Sequence, residues 1–279
     1  MSGRRITAVF GGGGAKAAAQ IGALRALEEL GLRPTRYVGT SMGGVIAAGA
    51  ASGTSAEELS RRFRSVKVGE VARPRALAPI AGLWFSSLLR PDPLRRTLAR
   101  LVPQQRFGDL PIPLTLTAVD LDTRELLTLG EGGLDLPLLD ALVATTALPV
   151  YYPPAVLGNR RLGDGGLRAV LPLDIAASFE TDLVIAVDVG PGFDEPAPKQ
   201  RVRAPGLLLA HDAGEGALMA QQAADAVARW RVTAGRPPLV HVRPPLPRRA
   251  TFAVELFVEF ERAGYARTVE ALRREGISG

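Results

Sequence analysis

The stretch Tyr37-Val38-Gly39-Thr40-Ser41-Met42-Gly43-Gly44 decides the fold, because it sets the pattern Gly-x-Ser-x-Gly between an apolar run and a segment of small residues. A nucleophilic serine has to project from a sharp turn between a strand and a helix, where its backbone is strained. Gly39 and Gly43 remove the side chains that would otherwise collide there. The pattern therefore predicts Ser41 as a nucleophile between a strand at residues 37–39 and a helix at residues 43–51, although a tight turn with a capping serine has the same sequence.

Four consecutive glycines, Gly11 to Gly14, lie upstream between a predicted strand at residues 5–10 and a predicted helix at residues 15–30. Backbone N–H groups in such a loop can approach an anion closely, and the dipole of the following helix assists them. The loop lacks the Gly-Lys-Ser/Thr of a Walker sequence, and Ala17 stands where a dinucleotide-binding loop requires its third glycine. The loop is therefore either an oxyanion hole or a structural turn, and Lys16 either supports a developing negative charge or is a surface lysine.

A third glycine-rich segment, Leu162-Gly163-Asp164-Gly165-Gly166, places a carboxylate in a turn. The flanking glycines allow the backbone to bring Asp164 close to another segment of the chain. An ordinary Asp-Gly turn has the same composition and is the more common origin of this dipeptide. Asp164 is therefore a candidate catalytic carboxylate, and its role depends on the groups beside it.

The rest of the chain alternates between segments typical of strands and segments typical of helices. Further strands are predicted at residues 113–119, 125–129 and 182–189, and further helices after Ser55 and at residues 136–144, 213–232 and 252–274. Two stretches rich in proline or glycine, residues 67–93 and 191–205, are predicted to be irregular. The alternation predicts an α/β layer fold with a mostly parallel sheet, and 279 residues fit a single domain.

Composition excludes several classes of site. The chain has no cysteine, which excludes thiol nucleophiles, disulfides and cysteine-ligated metals, and its 2 histidines are too few for a zinc site built on several of them. Neither a stretch of about 18 uncharged apolar residues nor a signal-peptide pattern is present, so a cytoplasmic protein without a membrane span is expected. The net charge of +6 favours binding to anionic surfaces. The arginines are spread along the chain, however, so their distribution does not indicate a particular partner.

An apolar patch in the first irregular stretch comprises Leu83-Trp84-Phe85 and Leu88-Leu89, and it is flanked by Arg73, Arg75 and Arg90. An apolar surface with basic neighbours suits insertion at an anionic lipid interface. The stretch at about residues 67–93 is therefore either a lid or interfacial segment, or a loop packed onto the core.

The glycine loop, the Gly39-x-Ser41-x-Gly43 turn and the Asp164-Gly165-Gly166 turn, in this order, resemble the patatin-like phospholipases. The likeness extends to residues 21–31, to Ala147-Leu148-Pro149 with the following Pro153-Pro154, to residues 182–189 and to residues 261–265. It therefore covers most of the chain. The resemblance implies a three-layer α/β/α sandwich, a single hydrolase domain over residues 1–279, and no cofactor or metal.

The family hydrolyses acyl esters with a Ser–Asp dyad in place of a triad. The resemblance therefore implies that Asp164 takes the proton of Ser41 as its hydroxyl attacks the ester carbonyl, and that water hydrolyses the acyl-enzyme. It also implies an oxyanion hole and a set of supporting residues. The oxyanion amides would be those of Gly12, Gly13 and Gly14, and the supporting residues Lys16, Gly39, Gly43 and Gly165. The implied substrate is an acyl lipid, with peripheral contact to an anionic membrane and no nucleic-acid partner.

Three positions depart from the family's pattern, because Lys16 replaces the usual arginine, Gln20 a frequent histidine and Ala169-Val170 a frequent asparagine. Lysine offers a point charge where arginine can bind an anion with two donors, so these changes indicate a weakened or altered substrate preference. His211 and His241 lie far from every motif and are expected to be structural. Two other functions stay open: a catalytically silent scaffold that binds lipid or a partner in the same pocket, and a nucleotide-binding module.

Overall fold

A sheet of eight strands forms the centre of the computed structural model, which describes residues 3–75, 87–196, 205–248 and 251–277. The strands are β1 (Ile6–Phe10), β2 (Arg36–Thr40), β3 (Leu114–Asp120), β4 (Leu126–Gly130), β5 (Ala155–Leu157), β6 (Arg160–Asp164), β7 (Leu183–Val187) and β8 (Leu239–Val242). Their order across the sheet is β5-β6-β3-β2-β1-β7-β8, and β4 pairs with β3. The first strand of the chain therefore lies in the middle of the sheet, between β2 and β7.

The sheet is mixed, with a parallel majority. Strands β3, β2, β1, β7 and β8 pair in parallel, whereas β4 and β6 both run antiparallel to β3, and β5 runs antiparallel to β6. The antiparallel arrangement of β6 matters for the site, because β6 ends with Asp164 opposite Ala118, and the adjacent Thr117 is opposite Thr40 at the end of β2, on the same edge of β3. The prediction of a mostly parallel sheet is confirmed.

Helices cover both faces of this sheet. They are α1 (Ala18–Glu29), α2 (Ser41–Ala51), α3 (Ala56–Arg64), α4 (Val68–Val71), α5 (Pro91–Leu101), α6 (Leu138–Thr145), α7 (Gly166–Ala169), α8 (Leu173–Ala176), α9 (Gly206–Val232) and α10 (Phe257–Arg274). Short 3-10 turns lie at Gly14–Ala17, Phe107–Asp109 and Val254–Leu256. Helix α3 illustrates how the local sequence determines where a helix begins. The Ser55 hydroxyl accepts a hydrogen bond from the N–H of Glu58 and caps the N-terminus of this helix.

Alternation of side chains along the strands produces two apolar cores. Ala8 and Phe10 of β1 point into the larger core, which includes residues of α1, α2, α6 and α10. Val9, between them, points to the opposite face, where the smaller core includes Ala223 and Trp230 of α9. Successive residues of a strand face opposite sides of its sheet, so one buried strand serves both cores. The three-layer α/β/α architecture is confirmed.

Helices α1 and α10 approach each other closely because each has a glycine at the crossing. A Cβ atom added to Gly22 would lie 1.9 Å from the carbonyl oxygen of Glu261, and one added to Gly264 would lie 1.8 Å from that of Ala19. Neither distance leaves room for a side chain. The two glycines therefore set the spacing between the first and last helices of the described chain.

The structure corrects several predicted boundaries. Residues 67–93 are not wholly irregular, because they contain α4 and the start of α5, where proline occupies the first helical position at Pro91. Helix α9 begins at Gly206, two turns before the predicted start, and helix α2 begins at the serine itself. Strands β5 and β6 were not predicted. Residues 191–196 of the second irregular stretch have no helix or strand, and residues 197–204 lie outside the described ranges.

The apolar patch predicted as a lid or interfacial surface is only partly described. Leu83, Trp84 and Phe85 lie outside the described residues. Leu89 is buried, and its N–H donates to the carbonyl of Tyr151 at 2.9 Å, so this end of the segment packs onto the body of the protein. In the part of the chain that the structure describes, no helix combines the length and the apolar character that a bilayer span requires.

Candidate active site

Ser41 occupies the turn that its motif predicts. Strand β2 ends at Thr40, helix α2 begins at Ser41, and the φ angle of Ser41 is 56°, in the region that residues other than glycine rarely adopt. The Ser41 N–H donates to the hydroxyl of Thr145 at 2.9 Å, which helps to hold this strained backbone. A Cβ on Gly39 would lie 2.5 Å from Cα of Gly44, and a Cβ on Gly43 would lie 2.3 Å from the carbonyl of Gly11, so both positions require glycine.

Asp164 is the last residue of β6 and lies beside Ser41. Its Oδ2 atom accepts a hydrogen bond from the Ser41 hydroxyl at 2.6 Å, and its Oδ1 atom accepts one from the N–H of Gly166 at 2.8 Å. A Cβ on Gly165 would lie 2.2 Å from the hydroxyl oxygen of Thr117, so glycine lets the chain turn over β3 immediately after the carboxylate. Both oxygens of the carboxylate are therefore oriented by the protein.

The Asp164 carboxyl is 2% exposed, and its burial raises its pKa from the usual 3.8 to about 7. The hydrogen bonds from Ser41 and Gly166 stabilise the charged form and lower the pKa, while the negative charge of Glu215 raises it. A carboxylate whose pKa lies near neutrality accepts a proton more readily than an exposed one. The Asp164 carboxylate is therefore suited to accept the proton of the Ser41 hydroxyl.

Histidine takes no part in this arrangement within the described residues. The Nε2 atom of His241 lies 3.3 Å from a carboxylate oxygen of Asp188, and the Nδ1 atom of His211 lies 3.6 Å from one of Asp212. Neither imidazole hydrogen-bonds to Ser41 or Asp164 there. Asp164 is thus the titratable group in direct contact with the serine hydroxyl.

The glycine loop lies against the serine, but its three predicted oxyanion donors are not equivalent. A Cβ on Gly12 would lie 3.1 Å from Cβ of Ser41, which places the loop in contact with the nucleophile. The N–H of Gly12 donates to the carbonyl of Val170 at 2.8 Å and is therefore already engaged. Among the described residues, the N–H groups of Gly13 and Gly14 have no acceptor.

The side chain of Gln20 holds the glycine loop in place. Its Nε2 atom donates to the carbonyl of Gly11 at 2.7 Å and lies 3.3 Å from that of Val187, while its side chain is fully buried. These two carbonyls belong to the loop and to the end of β7, so one amide group joins both. In the sequence, Gln20 is marked only by its departure from the pattern of the patatin-like phospholipases.

Lys16 is not a surface lysine. Its side chain is 5% exposed, and its Nζ atom donates to Oε1 of Glu195, whose side chain is 10% exposed. The ammonium group is therefore already paired with a carboxylate. No signal in the sequence marks Glu195, because it lies in a stretch that composition predicts to be an exposed loop.

The candidate residues line one cavity of about 420 Å³. Gly12, Gly13, Gly14, Lys16, Ser41 and Asp164 all contribute to its wall. Most of the remaining described lining is apolar, and it includes Phe63, Val66, Val71, Leu94, Leu101, Leu148, Met219, Phe252, Val254 and Phe257. A largely apolar cavity with a few convergent polar groups is typical of a site for a small organic ligand or an acyl chain.

A second group of polar side chains lies on α9. Ligand atoms of His211, Asp212 and Glu215 fall within 4.8 Å of one another, a spacing that could accommodate a cation. The carboxylate oxygens of Asp212 lie 2.8 and 2.7 Å from the Tyr151 hydroxyl, which donates to them. Asp212 is therefore already engaged in fixing Tyr151 at the wall of the cavity.

A family model described as patatin-like phospholipase matches residues 8–177. Patatin-like phospholipase domain-containing protein 6 of Homo sapiens is 31% identical over 194 residues, which are 68% of this chain and 14% of that protein. The uncharacterized protein YqhO of Bacillus subtilis is 30% identical over 220 residues, which are 71% of this chain and 75% of that protein. This chain thus corresponds to a small part of the mammalian relative and to most of the bacterial one.

Among solved structures, VipD from Legionella pneumophila is similar with a TM-score of 0.48 and 14% sequence identity, over 97% of this chain and 67% of that chain. The ExoU–SpcU complex from Pseudomonas aeruginosa contains a chain similar with a TM-score of 0.47 and 19% identity, over 97% of this chain and 51% of that chain.

Proposed function

The chain belongs to the patatin-like phospholipase family, a family of lipid hydrolases, and on that premise we propose that it cleaves the carboxylic ester bonds of acyl lipids. The observation that carries the proposal is the 2.6 Å hydrogen bond from the Ser41 hydroxyl to the buried carboxylate of Asp164. This pair lines the apolar cavity, and no histidine contacts it among the described residues. A Ser–Asp dyad accounts for the geometry with the side chains that are present.

In the proposed reaction, the Ser41 Oγ atom attacks the ester carbonyl carbon as its proton passes to Oδ2 of Asp164. When the tetrahedral intermediate collapses, the bond to the alcohol oxygen breaks, and Asp164 returns the proton to the leaving alcohol. Water then loses a proton to Asp164 and attacks the acyl carbon. Release of the carboxylic acid restores the Ser41 hydroxyl.

The proposed oxyanion donors are the N–H groups of Gly13, Gly14 and Met42. The two glycine amides have no acceptor among the described residues, whereas Gly12 already donates to Val170. Met42 follows the nucleophile in the first turn of α2, where helical N–H groups have no partner within the helix. Each such donor can lower the barrier by about 3–4 kcal/mol when it is aimed at the developing negative charge.

Hydrolysis of p-nitrophenyl butyrate and p-nitrophenyl octanoate tests the proposal. Wild type should turn over, and Ser41→Ala and Asp164→Asn should each reduce kcat/KM by about 1,000-fold or more. Ser65→Ala and Asp174→Asn serve as matched controls on exposed residues and should behave as wild type. Wild type that is inert on both esters and on lipid vesicles would favour the alternative, a catalytically weak scaffold that binds lipid or a partner in the same pocket.

We also propose that the protein works in the cytoplasm and contacts anionic membrane peripherally. The net charge of +6 supports electrostatic attraction to such a surface. Phe193 lines the cavity and is 64% exposed, and Leu207 and Leu218 of α9 are 78% and 69% exposed. Sedimentation with vesicles that contain anionic lipid should recover the protein, and Phe193→Ser together with Leu207→Ser should weaken that recovery. Equal binding to vesicles without anionic lipid would contradict the electrostatic part of this proposal.

A further inference from the structure

The charged groups around the cavity are unevenly distributed. Among its described lining residues, the cationic side chains are Lys16 and Arg248, and the acidic ones are Asp164, Glu195, Asp212 and Glu215. Arg248 is exposed at the surface, whereas Lys16 is buried. A negatively charged group that enters the cavity would therefore depend on Lys16 for a buried positive partner.

Lys16 is already occupied by Glu195. The two side chains are 5% and 10% exposed, so the ion pair is shielded from water and from screening salt. The backbone around Glu195 is also fixed, because Arg248 donates from its Nε atom to the Glu195 carbonyl at 3.1 Å and from its N–H to the Pro196 carbonyl at 3.1 Å. An incoming anion could recruit the ammonium group only by displacing a carboxylate that the protein holds in place.

The remaining described carboxylates of the cavity also disfavour the binding of an anion. Asp212 and Glu215 line the cavity without a lysine or arginine partner among the described residues, and Asp164 becomes negative whenever it is ready to act as a base. Like charges placed together at a binding site are strongly unfavourable, so they discriminate against ligands that carry the same charge. The cavity therefore offers an anion no unpaired buried cation within the described lining and several nearby negative charges.

We propose that Glu195 is a specificity-determining residue, which neutralises Lys16 so that the cavity takes acyl esters that are uncharged beside the scissile bond and discriminates against those that carry a phosphate there. This inference rests on the proposed ester hydrolysis and names the substrate class of the same site. Acylglycerols are esters of the favoured kind, and acylglycerol phosphates are their disfavoured counterparts.

The test compares 1-oleoylglycerol with 1-oleoylglycerol 3-phosphate, which share the acyl chain and the ester, in micelles of an uncharged detergent. Wild type should hydrolyse the uncharged ester with a kcat/KM higher by about tenfold or more. Glu195→Gln removes the negative partner and leaves Lys16 free, so this ratio should fall by about fivefold or more. Asp194→Asn, a neighbour in the same loop whose side chain is 68% exposed, is the matched control and should keep the wild-type ratio.

Inorganic phosphate provides a readout that a purely structural role of Glu195 would not change. Glu195→Gln should become more sensitive to competitive inhibition by phosphate, by about fivefold relative to wild type. The double variant Lys16→Met, Glu195→Gln removes both charges and should restore the wild-type ratio and the wild-type response to phosphate. It also leaves no buried charge unpaired, so it keeps the test available if Glu195→Gln alone fails to fold.

The outcomes separate the two proposals. A wild type that prefers the phosphate-bearing ester, or a Glu195→Gln variant whose ratio and phosphate inhibition equal those of wild type, would overturn the role of Glu195 while leaving ester hydrolysis intact. Equal loss of activity on both lipids in Glu195→Gln, with no gain in phosphate inhibition, would mean that the residue only supports the loop. Inactivity of wild type on these lipids and on p-nitrophenyl esters would instead remove the proposed function itself.

Discussion

The hydroxyl of Ser41 reaches the carboxylate of Asp164 beside strand β3, where an Oγ–Oδ2 contact of 2.6 Å joins the residue that follows β2 to the last residue of β6. Both strands pair with the same edge of β3, β2 as far as Thr117 and β6 from Ala118 onward, and the Thr117 hydroxyl lies 2.6 Å from that of Thr40. The two catalytic candidates are 123 residues apart in the chain, and their meeting depends on the antiparallel pairing of β6 with β3.

The pH dependence of ester hydrolysis should follow the ionisation of Asp164. The active base is the carboxylate, and burial raises its pKa to about 7, so kcat/KM should rise as the pH increases through about 7 and level off above it. Glu215→Gln removes a neighbouring negative charge that raises this pKa, so the rise should move to lower pH. Both effects can be measured from initial rates with p-nitrophenyl butyrate between pH 5 and 9, corrected for spontaneous hydrolysis. If the pH profiles of wild type and variant superimpose, this role of Glu215 is contradicted.

Asp164→Asn should stabilise the fold at alkaline pH even as it abolishes activity. The folded-state pKa of about 7 lies above the usual 3.8, so the folded protein binds more protons than the unfolded chain, and stability falls as pH rises between these values. At pH 8 the buried carboxylate lowers the free energy of unfolding by on the order of 4 kcal/mol, a loss that an uncharged amide does not cause. Urea denaturation at pH 5 and pH 8 should show the advantage of the variant growing with pH, and an advantage that shrinks with pH would refute the assignment.

Thr145→Val should impair catalysis more than binding. The variant removes the hydroxyl that accepts the Ser41 N–H, which leaves a strained turn without this hydrogen bond. A misplaced nucleophile lowers kcat, and we expect a loss of about 10- to 100-fold with little change in KM. Thr268→Val is the matched control, because that buried hydroxyl donates to the Gly264 carbonyl of its own helix and does not line the cavity. Similar kinetics in the two variants would show that Thr145 does not position the serine.

Gly22→Ala should destabilise the protein by about 3 kcal/mol, because the added methyl group would overlap the carbonyl of Glu261 and force α1 and α10 apart. Gly214→Ala is the matched control within a helix, since nothing lies within 4 Å of the added atom. Alanine is the better helix former, so this control should gain about 0.5–1 kcal/mol. Chemical denaturation of both variants gives the comparison, and equal stabilities would mean that the crossing relaxes freely.

Much of the fold could be predicted because its elements carry local signals. The run at β7 is apolar throughout, and the polar residues Asp122-Thr123-Arg124 separate the apolar runs of β3 and β4. Strands β5 and β6 could not be predicted in the same way. Strand β5 has only 3 residues, both strands lie at the antiparallel side of the sheet, and the exposed Arg160 and Arg161 hide the alternation in β6.

The site was predictable to a smaller extent. Motifs marked Ser41 and Asp164 as candidates, because glycine spacing reflects steric needs that act within a few residues. The acceptor for the Ser41 N–H, Thr145, and the partner of Lys16, Glu195, come from distant segments that only the tertiary fold brings together. Pairing across such distances leaves no local pattern, so these contacts require the structure.

The central position of β1 also constrains the order in which the protein can be assembled on a ribosome. This strand leaves the exit tunnel before both of its neighbours, and one of them, β7, begins only at Leu183. Until that strand emerges, the edge of β1 that it covers is an unpaired template on a nascent chain, and the carbonyl of Val187 is absent from the support of the glycine loop. We therefore expect the glycine loop to reach its final position only after Val187 has emerged.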